Sequence, residues 1–108
     1  MSEVLYKGIE WRRRITVTEV DGTTRTNLTG KVLKLEVKAE STDAATLLTI
    51  TSGGAITHLT QSGATEGQAD AVISTAAQSV LTAETSPVFR VLLDDQVVRA
   101  WDFLEVQA

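Results

Sequence analysis

The chain has 108 residues and a formal net charge of −4, with 43% hydrophobic and 22% charged residues. This length predicts a single domain over residues 1–108, and a domain of this size buries roughly 65% of its unfolded surface. The sequence has no cysteine, which excludes disulfides, thiolate catalysis and zinc–sulfur sites.

Membrane and secretion signals are not visible in the sequence. No segment approaches the ~18 apolar residues that a transmembrane helix needs. The start, MSEVLYKG, has no apolar core of a signal peptide. We therefore expect a protein that is made and folded in the cytoplasm and that does not contact a membrane.

Alternation with a period of two dominates the first half of the chain. In GIEWRRRITVT the apolar side chains share one side of an extended strand: Ile9, Trp11, Ile15 and Val17. Arg12 and Arg14 fall on the other side, and Asp21-Gly22 follows as a turn. GKVLKLEVKAE alternates in the same way and predicts a half-buried strand with three inward side chains: Leu33, Leu35 and Val37.

The middle of the chain combines short strands with polar connections. A polar loop is predicted at 41–46, a strand at 47–51, a turn region at 60–68 and another strand at 69–73. A short helix is predicted near 75–83. Thr75 and Gln78 have the spacing of a capping box. A small apolar face follows, formed by Ala76, Ala77, Val80 and Leu81, and Pro87 prevents the helix from continuing.

The C-terminal segment PVFRVLLDDQVVRAWDFLEV predicts a hairpin with its loop at Asp94–Gln96. The inward-facing side chains of its first strand are Phe89, Val91 and Leu93. An even loop places Val98, Ala100, Leu104 and Val106 inward, with Trp101 and Phe103 outward. A three-residue loop places Trp101 opposite Phe89 and buries both aromatics. In total, six or seven short strands and one helical turn indicate an antiparallel β-sandwich.

Residues for catalysis are scarce. His58 is the only histidine, and no cysteine or second histidine can complete a site with it. Asp94-Asp95 lacks the spaced oxygen ligands of a calcium loop and is typical of a turn. We therefore predict no catalytic, cofactor-binding or metal-binding residues, and no enzymatic activity.

The three consecutive arginines raise the question of nucleic acid. In a strand Arg12 and Arg14 point away from Trp11, whereas Arg13 points the same way as Trp11. The arginines therefore cannot form one dense patch, and the sequence pI is about 4.9. We predict that they pair with carboxylates across strands or across a subunit boundary, and that the protein does not bind nucleic acid.

The order of these features resembles the immunoglobulin-like domains of tailed-phage structural proteins, in particular the N-terminal domain of upper baseplate proteins. The matching motifs are Gly8-Ile9-Glu10-Trp11, Leu28-Thr29-Gly30, Gly53-Gly54-Ala55-Ile56 and Leu104-Glu105-Val106. Together they cover nearly the whole chain. Two features differ: Val88–Val91 replaces the usual Tyr-x-Tyr strand, and the last hairpin lacks its usual glycine.

The resemblance implies an all-β, immunoglobulin-like sandwich that serves as a non-enzymatic virion subunit in a baseplate, tail, neck or capsid. Such a subunit is expected to be a homo-oligomer in the virion and to dock to other virion proteins. The alternative is a host-surface or carbohydrate-binding module in which a tryptophan, Trp11 or Trp101, stacks on a sugar. A small hydrolase is the weakest interpretation, because catalytic residues are scarce.

The resemblance of Leu104-x-Val106 to the family's closing strand favours the even hairpin loop. Outward aromatic and aliphatic side chains would then form an apolar patch that suits an interface. Arg90 would be available to stack on the Trp101 ring. The predicted interface residues are Arg12, Arg14, Val88, Arg90, Leu92, Trp101 and Phe103.

Overall fold

A computed structural model of the chain describes residues 3–42 and 45–108, so the centre of the predicted loop 41–46 lies outside the described residues. The fold is all-β, as predicted, with two sheets packed as an immunoglobulin-like sandwich. Within the described ranges the strands are β1 (Glu3–Tyr6), β2 (Trp11–Thr16), β3 (Leu33–Lys38), β4 (Leu48–Thr51), β5 (Ile56–His58), β6 (Gln68–Ile73), β7 (Val88–Leu93) and β8 (Gln96–Gln107). The sequence did not predict β1 or β5.

The strands divide into a five-stranded sheet, in the order β1-β8-β7-β3-β4, and a three-stranded sheet, in the order β2-β6-β5. The chain crosses between the sheets after β1, β2, β4 and β6, as expected of an immunoglobulin-type sandwich. The pairing is antiparallel except that β1 runs parallel to β8. The predicted antiparallel sandwich is confirmed, with one parallel pair at this edge, where a strand from one terminus lies beside a strand from the other.

The core lies between the sheets and is formed by alternate residues of the strands. All six side chains predicted as core are buried: Leu33, Leu35, Val37, Phe89, Val91 and Leu93. Trp11, Ile15 and Val17 are also buried, as their alternation predicted. Ile9 was predicted to lie with them, but it is 65% exposed. It lies before β2, in a turn where its amide donates to the Tyr6 carbonyl, and the strand alternation does not reach it.

The predicted helix is a single 3₁₀ turn, Ala77–Val80, and a second 3₁₀ turn spans Gly63–Thr65. Thr75 does not cap the first turn; the Ser74 hydroxyl accepts the Ala77 amide instead. Gln78 is buried, and its side-chain amide accepts from the Gly8 amide at 3.0 Å and donates to the Ile9 carbonyl at 2.7 Å. The 3₁₀ turn thus anchors the connection between β1 and β2. Val80, predicted for the apolar face, is exposed.

The β7–β8 hairpin has an even loop, as predicted. Asp94 and Asp95 are its two turn residues and both have positive φ, 47° and 66°. A two-residue turn with positive φ at both positions is the type that fits the twist of a hairpin, and glycine or asparagine usually occupies it. The two aspartates therefore replace the glycine that the resemblance led us to expect.

Two irregularities then shift the register of β8 along β7. Leu92 lies opposite Val97, Val91 opposite Arg99 and, beyond the second shift, Val88 opposite Phe103. Leu104 and Val106 are buried, as predicted. Val98 and Ala100 were predicted to point inward, but both are exposed and do not belong to the core. Val98 lies at the open end of the sandwich, where it lines a cavity with Val17 and Leu93.

Candidate functional surface

A ladder of three side chains crosses the outer face of the five-stranded sheet. The Arg90 guanidinium carbon lies 4.6 Å from the centre of the Trp101 ring, and the Arg90 Nε donates to Glu36 Oε1 at 3.1 Å. The three residues lie on the adjacent strands β8, β7 and β3. The side chains of Arg90 and Glu36 are only 27% and 21% exposed, so the ion pair is partly shielded from solvent screening. The ladder holds the indole in a defined position on the sheet.

A second cation lies near the same ring. Lys38 Nζ is 5.8 Å from the centre of the Trp101 ring. A cation within about 6 Å of an aromatic face is attracted by the ring quadrupole. Trp101 is half-buried, and two cationic side chains lie near its ring, Arg90 from β7 and Lys38 from β3.

The predicted apolar patch lies next to this ladder. Phe103 lies opposite Val88 and is 56% exposed, and Val88 is half-buried. Leu92 is on the same face but is only 9% exposed, so it contributes little open surface. We refer to these five predicted residues as the outer-face patch: Val88, Arg90, Leu92, Trp101 and Phe103. The structure brings all five together on one face.

Sequence reasoning missed the part of this surface that β1 supplies. Val4 lies opposite Glu105, and Tyr6, which is exposed, lies opposite Gln107. Leu5, between them, is buried in the core, so Val4 and Tyr6 share the outer face with Phe103. The short EVLY segment carries little period-2 signal, and its pairing with β8 is too distant in sequence to be inferred locally.

The other two predicted interface residues lie on the opposite side of the sandwich. Arg12 and Arg14 are on the outer face of the three-stranded sheet, away from the buried Trp11. Arg14 Nε donates to Asp70 Oδ1 on β6 at 2.9 Å, and Arg12 pairs with Glu10 at 3.2 Å. The Arg14 hydrogen bond lowers the pKa of Asp70 and raises that of Arg14. The structure therefore does not unite these arginines with the outer-face patch.

Arg13 has a separate position at the side of the sandwich. It forms an ion pair with Glu3 of β1, and its guanidinium carbon lies 5.4 Å from the centre of the Trp11 ring. Because β1 and β2 belong to different sheets, this pair connects the two sheets. Each of the three arginines thus has a carboxylate partner within the chain. The pairs of Arg13 and Arg14 cross between strands, as predicted, whereas Arg12 pairs locally with Glu10.

Groups for chemistry do not converge in the described part of the chain. Residues 3–42 and 45–108 contain no cluster of three or more histidine, aspartate or glutamate side chains that could hold a metal. His58 lies on the edge strand β5, and its Nε2 atom is buried without a hydrogen-bond partner. Asp94 has a structural role, because its carboxylate accepts the Val32 amide at 2.9 Å and stabilises the hairpin turn.

Among the residues described, no helix combines the length and the hydropathy needed to cross a bilayer. No protein-family model matches the chain, and no curated protein matches it significantly.

Proposed function

We propose that this protein is a non-enzymatic structural subunit of a tailed-phage virion and that it docks to other virion subunits through the outer-face patch. It would be made in the host cytoplasm and act in the virion, at the baseplate, tail, neck or capsid. The proposal joins the motif resemblance in the sequence to the surface described above. It requires no cofactor, nucleic acid or membrane.

The observation that carries the proposal is the exposure of Phe103 on a rigid sheet, beside the Arg90–Trp101 stack. An exposed aromatic side chain of this kind, bordered by charged groups, is common in protein–protein contacts. Tryptophan and arginine are also the residues most enriched among the energetically dominant positions of interfaces. Because the patch lies on strands and not on a loop, little ordering is needed when a partner binds.

The apolar area alone supports only a weak single contact. Burial of the exposed parts of Trp101 and Phe103 contributes on the order of 3–6 kcal/mol at most. A micromolar complex requires about 8 kcal/mol. Polar pairs at the border, or several copies held in one assembly, must supply the difference. A repeated subunit in a virion provides this multivalency.

The carbohydrate-binding alternative has less structural support. A sugar platform needs an open tryptophan face, but Arg90 lies over the Trp101 ring at 4.6 Å and Lys38 is within 5.8 Å. Trp11, the other tryptophan, is only 5% exposed. Trp11 is therefore too buried to stack on a sugar, and Arg90 already occupies stacking surface on Trp101.

The direct test is the protein content of purified phage particles. Particles should be produced from a genome that encodes this chain, purified by density gradient, and quantified by mass spectrometry against the major capsid protein. We expect the chain at a fixed copy number per particle that survives high-salt washing. Its absence from intact particles, or loss in salt at the same rate as host proteins, would contradict the proposal.

A further inference from the structure

The two sides of the sandwich differ in charge. At one side the edge strands are β1 and β2, which carry Glu3 and the arginines Arg12, Arg13 and Arg14. At the other side they are β4 and β5, and both belong to residues 44–65, a stretch with no Asp, Glu, Lys or Arg. Proteins commonly protect an edge strand with charged side chains, because its unpaired N–H and C=O groups can bind another strand. The β4–β5 side lacks this protection.

The backbone of β4 is open along this side. β4 pairs with β3 over its whole length and without a register shift. In such an antiparallel ladder, alternate residues direct their backbone groups to opposite edges. The Ser52 amide donates to the Leu33 carbonyl at 2.8 Å, so the backbone groups of Ile50 face β3 as well. Those of Thr49 and Thr51 face the open side, where no described strand pairs with β4.

The charges closest to this edge are already engaged. β3, the strand next to β4, carries three charged side chains, and each has a contact within the chain. These contacts are Lys34 with Asp95 at 3.3 Å, Glu36 with Arg90 at 3.1 Å and Lys38 with the Trp101 ring at 5.8 Å. The exposed side chains of β4 and of the residue before it are uncharged: Leu47, Thr49 and Thr51. A strand that approaches this edge therefore has no charge to desolvate.

We propose that the open edge of β4 binds the same edge of a second copy of this chain, in antiparallel orientation and centred on Thr49. Each Thr49 amide then donates to the Thr49 carbonyl of the other copy, and the two five-stranded sheets join into one of ten strands. The contact is centred on Thr49 because the Thr51 carbonyl already accepts the Gly54 amide at 3.2 Å. It is separate from the outer-face patch and does not depend on the docking function.

The properties of the edge indicate the occupant. A strand that pairs with β4 must present unpaired backbone groups on an uncharged edge, and β4 of a second copy presents them. Antiparallel pairing of two identical strands is isologous, so each contact forms twice. The net charge of −4 opposes contact between two copies over much of their surface. Along residues 44–65 the copies can meet without bringing like charges together.

The other edges suit such a contact less well. β5 has only three residues, and the first of them, Ile56, is bridged to Ser52. β1 and β2 are joined across the side of the sandwich by the ion pair of Arg13 with Glu3. The part of β8 that β1 leaves uncovered is distorted by two register shifts. Bulges of this kind block edge-to-edge addition.

The geometry has a consequence for the outer-face patch. The two-fold axis of an antiparallel strand pair is perpendicular to the sheet, so both copies present their outer faces on the same side. A dimer thus offers two patches to one binding surface, which supplies the multivalency that a single patch lacks. This consequence rests on the proposed function, whereas the edge contact itself does not.

The test begins with sedimentation of the purified full chain over a concentration series. We expect a reversible dimer, because β4 is only four residues long. Thr49→Lys brings two ammonium groups together at the axis and should raise Kd at least about tenfold. Thr16→Lys adds the same charge to an exposed threonine on β2, at the opposite side, and should leave Kd unchanged. Phe103→Ala should also leave it unchanged, and circular dichroism establishes that each variant is folded.

Hydrogen exchange then tests the backbone contact itself. The Thr49 amide faces water in the monomer and should exchange at least about tenfold more slowly in concentrated than in dilute solution. The Thr16 amide is the control on another open edge. Because the Val17 amide donates to the Gly67 carbonyl on the β6 side, alternation directs the Thr16 amide away from β6. Its exchange rate should not change with concentration.

Three results would overturn the inference: a chain that stays monomeric, a dimer unaffected by Thr49→Lys, or a dimer lost in Phe103→Ala. A Thr49 amide that is protected only when another virion protein is added would assign the edge to that protein and also overturn it.

These outcomes are separable from the proposed function. A monomeric chain that is nevertheless present at a fixed copy number in purified particles retains the docking function and rejects the edge contact. A dimer with the expected sensitivity from a chain that is absent from particles retains the edge contact and rejects the virion role.

Discussion

The Arg90 guanidinium lies 4.6 Å from the centre of the Trp101 ring while its Nε donates to Glu36, so one arginine links three adjacent strands. The consequence is a tryptophan that is held on the surface of the sheet rather than inserted into the core. This arrangement allows stability and docking to be separated experimentally.

Truncation of the two aromatics should have unequal effects on stability. Phe103→Ala removes a ring that is 56% exposed and should lower the free energy of unfolding by less than about 1 kcal/mol. Trp101→Ala removes a half-buried ring and its stacking, and should cost about 1–3 kcal/mol. Urea denaturation followed by circular dichroism measures both. A loss of more than about 3 kcal/mol for Phe103→Ala would place that ring in the core, contrary to the structure.

Gly67 should tolerate alanine much less well than Gly53. Both have positive φ, +78° and +84°, so both substitutions carry the same backbone strain of about 1 kcal/mol. A Cβ at Gly67 would lie 2.7 Å from the Val17 carbonyl oxygen, whereas a Cβ at Gly53 meets nothing within 4 Å. We expect Gly67→Ala to cost at least about 2 kcal/mol more than Gly53→Ala. Equal melting temperatures for the two variants would contradict the close approach.

The β7–β8 turn should be stabilised by glycine. Asp95 has φ of 66°, a conformation that glycine adopts without steric cost. Asp95→Gly should therefore raise the free energy of unfolding by about 0.5–1 kcal/mol. Loss of the exposed ion pair between Asp95 and Lys34 reduces this gain by the small contribution of that pair. Asp95→Ala is the control, since it removes the same ion pair but retains a Cβ, and it should destabilise. Destabilisation by both substitutions to the same extent would refute the role of backbone strain.

Asp21 should make stability depend on pH in the acid range. Hydrogen bonds from the Thr24 hydroxyl and from the amides of Thr24 and Thr23 lower its pKa from 3.8 to about 2. Because the folded-state pKa lies below the unfolded value, this contribution is present above pH ~4 and is lost as the pH falls towards 2. Asp21→Asn should therefore melt at a lower temperature than the parent at neutral pH, and the difference should shrink near pH 2. A difference that is constant across this range would show that the charge of Asp21 is unimportant.

The parts of the fold that could be predicted from the sequence are the strands in which apolar and charged residues alternate. Leu33, Leu35 and Val37 were identified as core because their charged neighbours cannot be buried unpaired. The side of the sheet on which Trp101 and Phe103 lie depended on the length of the hairpin loop. Asp94 and Asp95 can form a loop of even length only because both residues adopt positive φ. The motif resemblance, not the alternation, favoured that length.

The remaining errors arise from features that leave no local mark on the sequence. The two register shifts between β7 and β8 were not predicted, because no glycine or proline in VVRAWDF signals them. The buried Gln78 was interpreted as a capping residue because its partners, Gly8 and Ile9, are about 70 positions away. Likewise, the contribution of Tyr6 and Val4 to the docking surface depends on the pairing of the two ends of the chain.

The measurement that tests the central claim most directly is the incorporation of two matched variants into phage particles. Phe103→Glu places a charge at the centre of the outer-face patch, and Thr57→Glu places one at an exposed position on the other sheet. Both variants should fold, which thermal unfolding verifies beforehand. We expect particles assembled with Thr57→Glu to carry the chain at its normal copy number and those assembled with Phe103→Glu to lack it. Normal incorporation of Phe103→Glu would contradict docking through this face.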